Sequence, residues 1–314
     1  MPDGTLPGAA VRAFVEALSA HERAHIGAEV LEGIRAGGYA LANPFDAVDA
    51  GIRRTLAVSR VDVPAGTQVG EFPHRSLHAR AHTFAGGTLI LLDTGLRPLL
   101  DRMAGTLVAS QLTSSRDAQG AARYQAALLQ QRQQRAETDD AFAAAVAGYL
   151  RREPAAADPQ NTFGFFMARS AERFVLGHEY GHLLAGHRHT PPDGDPRNAR
   201  REYEADELAA MLILRGIDDG AEFRWRALAV AGPFLFLAVE QLVNRVRGAA
   251  DGTHPPPEER TALLRRVFEQ AGARGLLHFA EAWVSSLLLR EATIVDRARG
   301  SGPQLRPGQG EVGR

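Results

Sequence analysis

The chain has 314 residues, enough for one large domain or two small ones with a sizeable hydrophobic core. Its formal net charge is −1 and its pI is about 6.8, so it has no overall positive field that would attract nucleic acid or anionic lipid. Cysteine is absent, which excludes disulfides and thiolate chemistry, so a metal site must use His, Asp or Glu. The N-terminus lacks the pattern of a secretion signal, and we expect a cytoplasmic protein.

The first 80 residues predict a helix followed by short strands. Apolar residues recur at helical spacing over residues 10–40, which indicates an amphipathic helix. Residues 52–72 are rich in apolar and β-branched side chains and are interrupted by a Pro-Ala-Gly sequence, a pattern typical of short strands. We therefore expect residues 1–80 to form an N-terminal region that precedes the main domain.

The next stretch, AHTFAGGTLILLDTGL at residues 81–96, predicts a strand. Its Gly-Gly pair favours a turn, and the apolar run at residues 88–92 indicates a buried strand. Pro98 suits the first turn of a helix that we expect to reach Gln111. Residues 117–150 are rich in Ala, Gln and Arg, a composition that favours one or two long helices with polar faces.

The second half of the sequence predicts helices in close succession. They are expected at about residues 162–187, 200–215 and 222–247, with a further helix after the proline-rich turn at 251–260. The apolar run at 227–239 has 13 residues and contains Pro233, whereas a membrane span needs roughly 20 apolar residues. We therefore expect a buried core helix there. Residues 297–314 are rich in Gly, Pro and Arg and predict a disordered tail.

The sequence HEYGH at residues 178–182 combines two histidines with a glutamate at helical spacing. On a helix, His178 and His182 are one turn apart and project from the same face, so both imidazoles can reach one ion. Glu179 points to a neighbouring angle, where it can reach a water molecule on the metal. This H-E-x-x-H pattern predicts a metal site, which requires a third protein ligand.

The candidates for the third ligand lie in RREYEADELAA, residues 200–210. Glu202 and Asp206 are four residues apart on the next predicted helix, so they share one face. One of them can be the ligand, and the other can accept the free ring N–H of a ligand histidine. A solvated helix face is the alternative for such a pair. The position 20 residues after His182, on a helix that can fold back over the first, favours the metal-site interpretation.

HEYGH followed by EYEAD resembles the gluzincin metallopeptidases, and EYEADELAA is most similar to the HtpX and CAAX-prenyl-endopeptidase family. HTFAGGTLILLDTGL and THPPPEER resemble two further stretches of that family, and the matches occur in the family's order. The resemblance implies an α+β fold that is mostly helical. It also implies a zincin-like metallopeptidase with a small sheet whose edge strand borders the active-site cleft.

Carried over residue by residue, the resemblance implies one zinc ion (Zn²⁺) per chain. Its ligands would be His178, His182 and Glu202. Glu179 would be the general base, and Asp206 would be the hydrogen-bond partner of a ligand histidine.

Further roles follow from the same resemblance. The strand at 88–92 would be the edge strand along which an extended substrate peptide lies. His254 would approach the scissile carbonyl as a catalytic residue and help to hold the oxyanion, while Arg260 would support the fold. Glu204 faces a different side of its helix from Glu202 and is the weaker ligand candidate.

The chain also departs from the family pattern. A catalytic domain is predicted at residues 81–296, but residues 112–160 form an insertion between the strand and the zinc helix. The insertion could be a lid, a partner-binding arm or an extra helical layer. The gap from His182 to Glu202 is short, which is closer to soluble gluzincins of the thermolysin type.

Two further histidines follow the motif. His187 lies five residues after His182, whereas the metzincin pattern needs its third histidine six residues after the second. We therefore interpret His187 and His189 as helix-end and loop residues, which are favourable near a helix C-terminus.

The sequence therefore predicts a soluble bacterial zinc endopeptidase that acts on peptide or protein substrates. Its Ala, Gly and Arg content is typical of a GC-rich bacterial genome. The alternative is a zinc-bound peptidase fold that serves as a binding or regulatory module with gated or little activity. A membrane-surface protease anchored by residues 222–247 and a helical structural protein are the remaining alternatives. No nucleic-acid partner is expected.

Overall fold

The computed structural model describes most of the second half of the chain and part of the first. The described residues are 43–72, 78–84, 87–112, 159–187, 196–217, 221, 223–247 and 254–285, together with residues 12, 15, 16, 31 and 32. The predicted helix at 10–40 falls outside them, except for those last five residues, which are helical. The predicted helices at 117–150 and the predicted tail at 297–314 also lie outside the described residues.

Within these ranges the protein is mostly helical and contains one three-stranded sheet, which confirms the α+β class. The elements in chain order are α1 (Asp46–Val58), β1 (Thr67–Phe72), β2 (Ala79–Phe84), β3 (Gly87–Asp93), α2 (Leu96–Leu112), α3 (Pro159–Leu184), α4 (Pro196–Gly216), α5 (Phe223–Arg247), α6 (Pro257–Gln270) and α7 (274–285). The helices predicted from the second half of the sequence are therefore present at nearly the expected positions.

The helix α1 occupies a region where the sequence predicted strands. Only β1 is a strand within residues 52–72, and the first part of that range is helical. Ile52 and Leu56 are buried at a spacing of four residues, which suits one face of a helix. Asp49 and Arg53 form an ion pair at the same spacing on another face. The helical period therefore prevails over the β-branched composition that suggested strands.

The sheet has the order β1-β3-β2, with β3 parallel to β1 and antiparallel to β2. The strand at 88–92 is thus central, and the prediction that it forms the sheet edge is wrong. Its run of four residues from Leu89 to Leu92 is buried on both faces, which is typical of an interior strand. The described edge strands are β1 and β2, and β2 has the more polar sequence, ARAHTF.

The helix α3 lies at the centre of the described fold and packs against α2, α4 and α5. One contact is with α5, where Pro233 interrupts the hydrogen-bond ladder because proline has no N–H to donate to the carbonyl four residues before it. That carbonyl belongs to Ala229, and it accepts a hydrogen bond from Ser170 Oγ of α3 at 2.5 Å. The hydrogen bond that Pro233 cannot donate to Ala229 is therefore replaced by one from α3.

The helix α5 has the composition of a membrane span. Its segment Phe223–Asn244 is long and apolar enough to cross a bilayer, but 67% of its most apolar window is buried inside the protein. The core helix of a soluble protein has the same properties. A close approach of Gly232 to the backbone of Ala171 in α3 illustrates how tightly α5 is packed.

Candidate metal site and active-site cleft

The HEYGH motif lies near the C-terminal end of α3. His178 and Glu179 are buried, with 4% and 6% of their surface exposed, and His182 is partly buried. Tyr180, in the middle of the motif, is fully buried and donates a hydrogen bond from its hydroxyl to Asp49 of α1 at 2.6 Å. This hydrogen bond therefore anchors the motif to α1.

Small residues allow α4 to approach α3 at the motif. A Cβ atom built on Gly181 would lie 2.7 Å from Ala205 Cα, and one on Gly177 would lie 3.3 Å from Ala209 Cα. Only glycine permits such an approach at position 181. This contact was not predicted from the sequence. Its signal there is two pairs of small residues at a spacing of four, Gly177 with Gly181 and Ala205 with Ala209. The approach brings the carboxylates of α4 within reach of His178.

Three of the predicted ligands converge on one point. His178 Nε2 lies 3.1 Å from His182 Nε2 and 3.1 Å from Glu202 Oε2, and His182 Nε2 lies 3.3 Å from Glu202 Oε1. In a tetrahedral site with metal–ligand bonds of about 2.05 Å, neighbouring ligand atoms lie about 3.3 Å apart. The two histidines contact different oxygens of the Glu202 carboxylate, and each of the three separations is close to that value. The residues therefore fit a four-coordinate metal ion.

His254 approaches the same point from the segment before α6. Its Nε2 lies 3.4 Å from Glu202 Oε2, and its ring centroid is 6.0 Å from that of His178. The ligand atoms of His178, Glu202 and His254 all lie within 4.8 Å of one another, so they form a second set that could hold a metal ion. We favour the set with His182, because the ring centroids of His178 and His182 are only 4.7 Å apart, compared with 6.0 Å for His178 and His254. His254 then lies beside the three candidate ligands, next to Glu202.

Asp206 connects His178 to a buried network of charges. Its Oδ1 accepts a hydrogen bond from His178 Nδ1 at 2.8 Å. Arg260 donates two hydrogen bonds of 2.8 Å to the same carboxylate and a third of 2.9 Å to Glu240. Because the carboxylate accepts the proton on Nδ1, His178 directs the lone pair of Nε2 into the cluster. Arg260, which was predicted to support the fold, therefore contacts Asp206, the hydrogen-bond partner of the candidate ligand His178.

The charges around the cluster favour a positive charge at its centre. Burial alone would raise the pKa of Asp206, but Arg260 and His178 outweigh it and lower the pKa. Burial alone would lower the pKa of His178, but the hydrogen bonds with Asp206 and Glu202 raise it to about 10. Either a proton or a metal cation can supply the positive charge that these carboxylates stabilise.

His187 lies on the side of His182 that faces away from the cluster. His187 Nδ1 is 3.0 Å from His182 Nδ1, and His187 Nε2 is 3.2 Å from Glu204 Oε2. Glu204 in turn accepts a hydrogen bond from Arg200 at 2.8 Å. The contact between His187 and the HEYGH motif was not predicted from the sequence. His189 lies outside the described residues.

A cleft of about 60 Å³ opens beside the cluster. The polar residues that line it include His178, Glu179 and His254. The apolar side chains come from α2, α3 and α5: Leu96, Leu99, Leu100, Val175, Phe236, Val239 and Val243. Ala79, the first residue of β2, lies at the edge of the cleft, so the edge strand that borders it is β2.

The comparisons with known proteins identify a peptidase family. The family model of Peptidase U49 matches residues 108–280, more than half of the chain. The chain therefore belongs to the Peptidase U49 family. The matched region contains the HEYGH motif, Glu202 and His254, and it supports the prediction of a peptidase. It does not test the closer resemblance to HtpX and the CAAX-prenyl endopeptidases. Neither the curated proteins nor the solved structures give a significant match.

Proposed function

We propose that this member of the Peptidase U49 family is a zinc-dependent endopeptidase. The convergence of His178 Nε2, His182 Nε2 and the Glu202 carboxylate, with separations of 3.1 to 3.3 Å, carries the proposal. Two imidazoles and a carboxylate are a ligand set that catalytic zinc uses, with a fourth position left open for water or substrate. The HEYGH and EYEAD motifs, which resemble those of gluzincins, support the same proposal.

In this proposal Glu179 is the general base. A zinc ion bound by the three ligands would lower the pKa of a water molecule to about 7 and polarise the carbonyl of the scissile bond. Glu179 lines the cleft beside His178, so its carboxylate can accept a proton from the attacking water. The same carboxylate then donates that proton to the leaving amine. His254, which lines the cleft beside Glu202, could donate a hydrogen bond to the developing oxyanion.

The cleft also suggests how a peptide would bind. An extended substrate could pair with β2, which ends the described sheet and whose first residue lines the cleft. The apolar wall formed by α2, α3 and α5 would accept an apolar side chain next to the scissile bond. We therefore expect cleavage beside apolar residues in extended or unfolded segments of protein substrates.

One observation favours a second candidate function. His178, Glu202 and His254 could hold a metal ion together. His182, whose Nε2 lies 3.1 Å from His178 Nε2, would then complete a set of four protein ligands. Such a closed set is typical of structural zinc, because it leaves no position for water. The protein would then be a metal-bound binding or regulatory module.

The Glu179→Gln variant separates these candidates. We would measure zinc per chain in the wild type and in this variant, and assay both with quenched casein. The expected result is one zinc in each and cleavage by the wild type alone, because the amide cannot accept the proton. Glu207→Gln, an exposed site on α4, is the matched control and should retain activity. Cleavage by Glu179→Gln would contradict the role of Glu179, and the lack of zinc in the wild type would contradict the metal site.

A further inference from the structure

The candidate ligand His182 has a hydrogen-bond partner, His187, that lies outside the HEYGH motif. Its Nδ1, on the opposite side of the ring from the cluster, lies 3.0 Å from His187 Nδ1. We infer that His187 and Glu204 form a relay that positions His182 for metal binding. This inference rests on the proposed metal site but concerns residues outside the ligand set.

For a neutral His187, the donors and acceptors of the relay can be assigned in only one consistent way. The carboxylate of Glu204 can only accept, so His187 Nε2, at 3.2 Å, carries the hydrogen. In a neutral imidazole the other nitrogen is then an acceptor, so His187 Nδ1 accepts from His182 Nδ1. His182 therefore carries its hydrogen on Nδ1 and directs the Nε2 lone pair towards His178 and Glu202. The relay fixes the tautomer that a metal ligand requires.

The backbone at the end of α3 brings His187 to this position. Gly186 has a φ of +71°, a left-handed conformation that glycine adopts without strain. The N–H of Gly186 bonds the carbonyl of Leu183, and the N–H of His187 bonds the carbonyl of His182. These are the two hydrogen bonds of a Schellman motif, which folds the residue after the glycine back over the last turn. The two imidazole rings therefore meet, with their centroids 5.3 Å apart.

Both ring nitrogens of His187 are engaged, one by His182 and the other by Glu204. Neither is directed at the cluster, so His187 is a positioning residue rather than a ligand. The same orientation is achieved for His178 by Asp206 directly. In the relay, the carboxylate of Glu204 does not contact His182 directly, and the imidazole of His187 connects the two.

Zinc affinity of the full chain, measured by competition with a chromophoric chelator, tests the relay. His187→Phe keeps a ring of similar size but removes the acceptor, and we expect zinc binding to weaken about 10- to 100-fold. His187→Asn places an amide oxygen near the position of Nδ1, so it should restore most of the affinity. Equal weakening by Phe and Asn would show that His187 only fills space and would overturn the inference.

Substitution of the carboxylate gives an independent test that avoids a change in the core. Glu204→Gln should weaken zinc binding by a smaller factor than His187→Phe, while Glu207→Gln on the same helix should leave it unchanged. A histidine-selective nitrogen NMR spectrum of the zinc-loaded wild type should show the hydrogen of His182 on Nδ1; a hydrogen bound to Nε2 would contradict the relay.

The two proposals fail in different ways. If the wild type binds no zinc, the proposed function itself is wrong. If the wild type binds one zinc and cleaves casein, but His187→Phe and Glu204→Gln retain full zinc affinity, only the relay is wrong.

Discussion

The two histidines of the HEYGH motif are oriented by opposite kinds of surroundings. His178 donates directly to Asp206, whose side chain is fully buried against Arg260, itself only 3% exposed. His182 reaches its carboxylate through a second imidazole, and the ion pair at the end of that chain is open to solvent. There the side chain of Glu204 is 41% exposed and that of Arg200 is 82% exposed.

This difference in burial means that the Asp206 and Glu204 sides of the site have different roles. A charge pair in a low-dielectric interior cannot lose one partner without leaving the other uncompensated, whereas an exposed pair can turn to water. The Asp206 side therefore joins α3, α4, α5 and α6 as well as orienting a ligand. The Glu204 side only orients a ring. The first should govern stability and metal affinity together, and the second should affect metal affinity alone.

The largest effect is expected from Arg260→Met. Methionine fills similar space but leaves Asp206 and Glu240 without their shared cation, so we expect a loss of about 3–5 kcal/mol in the free energy of unfolding. Chemical denaturation with a chelator present measures this loss without a contribution from bound metal.

The matched control is Arg200→Met on the exposed side. Its removal should change the free energy of unfolding by at most about 1 kcal/mol, because surface ion pairs contribute little. Comparable losses in the two variants would mean that burial does not distinguish the two sides.

A smaller effect is expected from Gly181→Ala. The added methyl group would overlap the backbone of Ala205, so α4 must move or strain, at a cost of about 1–3 kcal/mol. Because α4 carries Glu202 and Asp206, zinc affinity should fall as well. Both quantities can be measured on the same preparation, by denaturation with chelator and by chelator competition.

Gly105→Ala is the control for helix propensity. A Cβ atom at Gly105 meets no atom within 4 Å, so alanine there should be neutral or should stabilise α2 by up to about 1 kcal/mol. If Gly181→Ala behaved like this control, the close approach of α3 and α4 would not constrain the site.

The sequence predicted those parts of the site that depend on helical spacing alone. The pairs His178/His182 and Glu202/Asp206 are each four residues apart, and the structure brings all four side chains together. Their roles as ligands and as an outer partner stay predictions. The central position of β3 in the sheet was not predicted. It depends on which strands pair with β3, and a strand's own sequence does not specify its neighbours.

The contact of His187 with His182 could not be predicted from spacing alone. On a continued helix, a residue five positions after another lies well round the cylinder, so the two rings would not meet. The left-handed Gly186 ends the helix and changes that direction. A histidine after a glycine at the end of a motif helix was the available signal, since the Schellman motif folds that residue back.

The smallest effect concerns Glu172, a buried carboxylate of α3 that contacts arginines but lies away from the cluster. Its side chain is fully buried and accepts hydrogen bonds from Arg97 at 2.7 and 3.0 Å. Burial raises the pKa of Glu172, and Arg97 and Arg169 only partly offset it, because both arginines retain contact with solvent. The shift is therefore opposite in direction to that of Asp206.

A raised pKa means that folded protein binds the proton of Glu172 more readily than unfolded protein does. Its contribution to stability is then complete at low pH and is lost as the pH rises through the folded pKa. We expect the wild type to lose stability relative to Glu172→Gln as the pH rises above about 4, the ordinary pKa of glutamate, measured as the difference in free energy of unfolding. A difference that changes in the wild type's favour over that range would show that the arginines dominate at Glu172, as Arg260 does at Asp206.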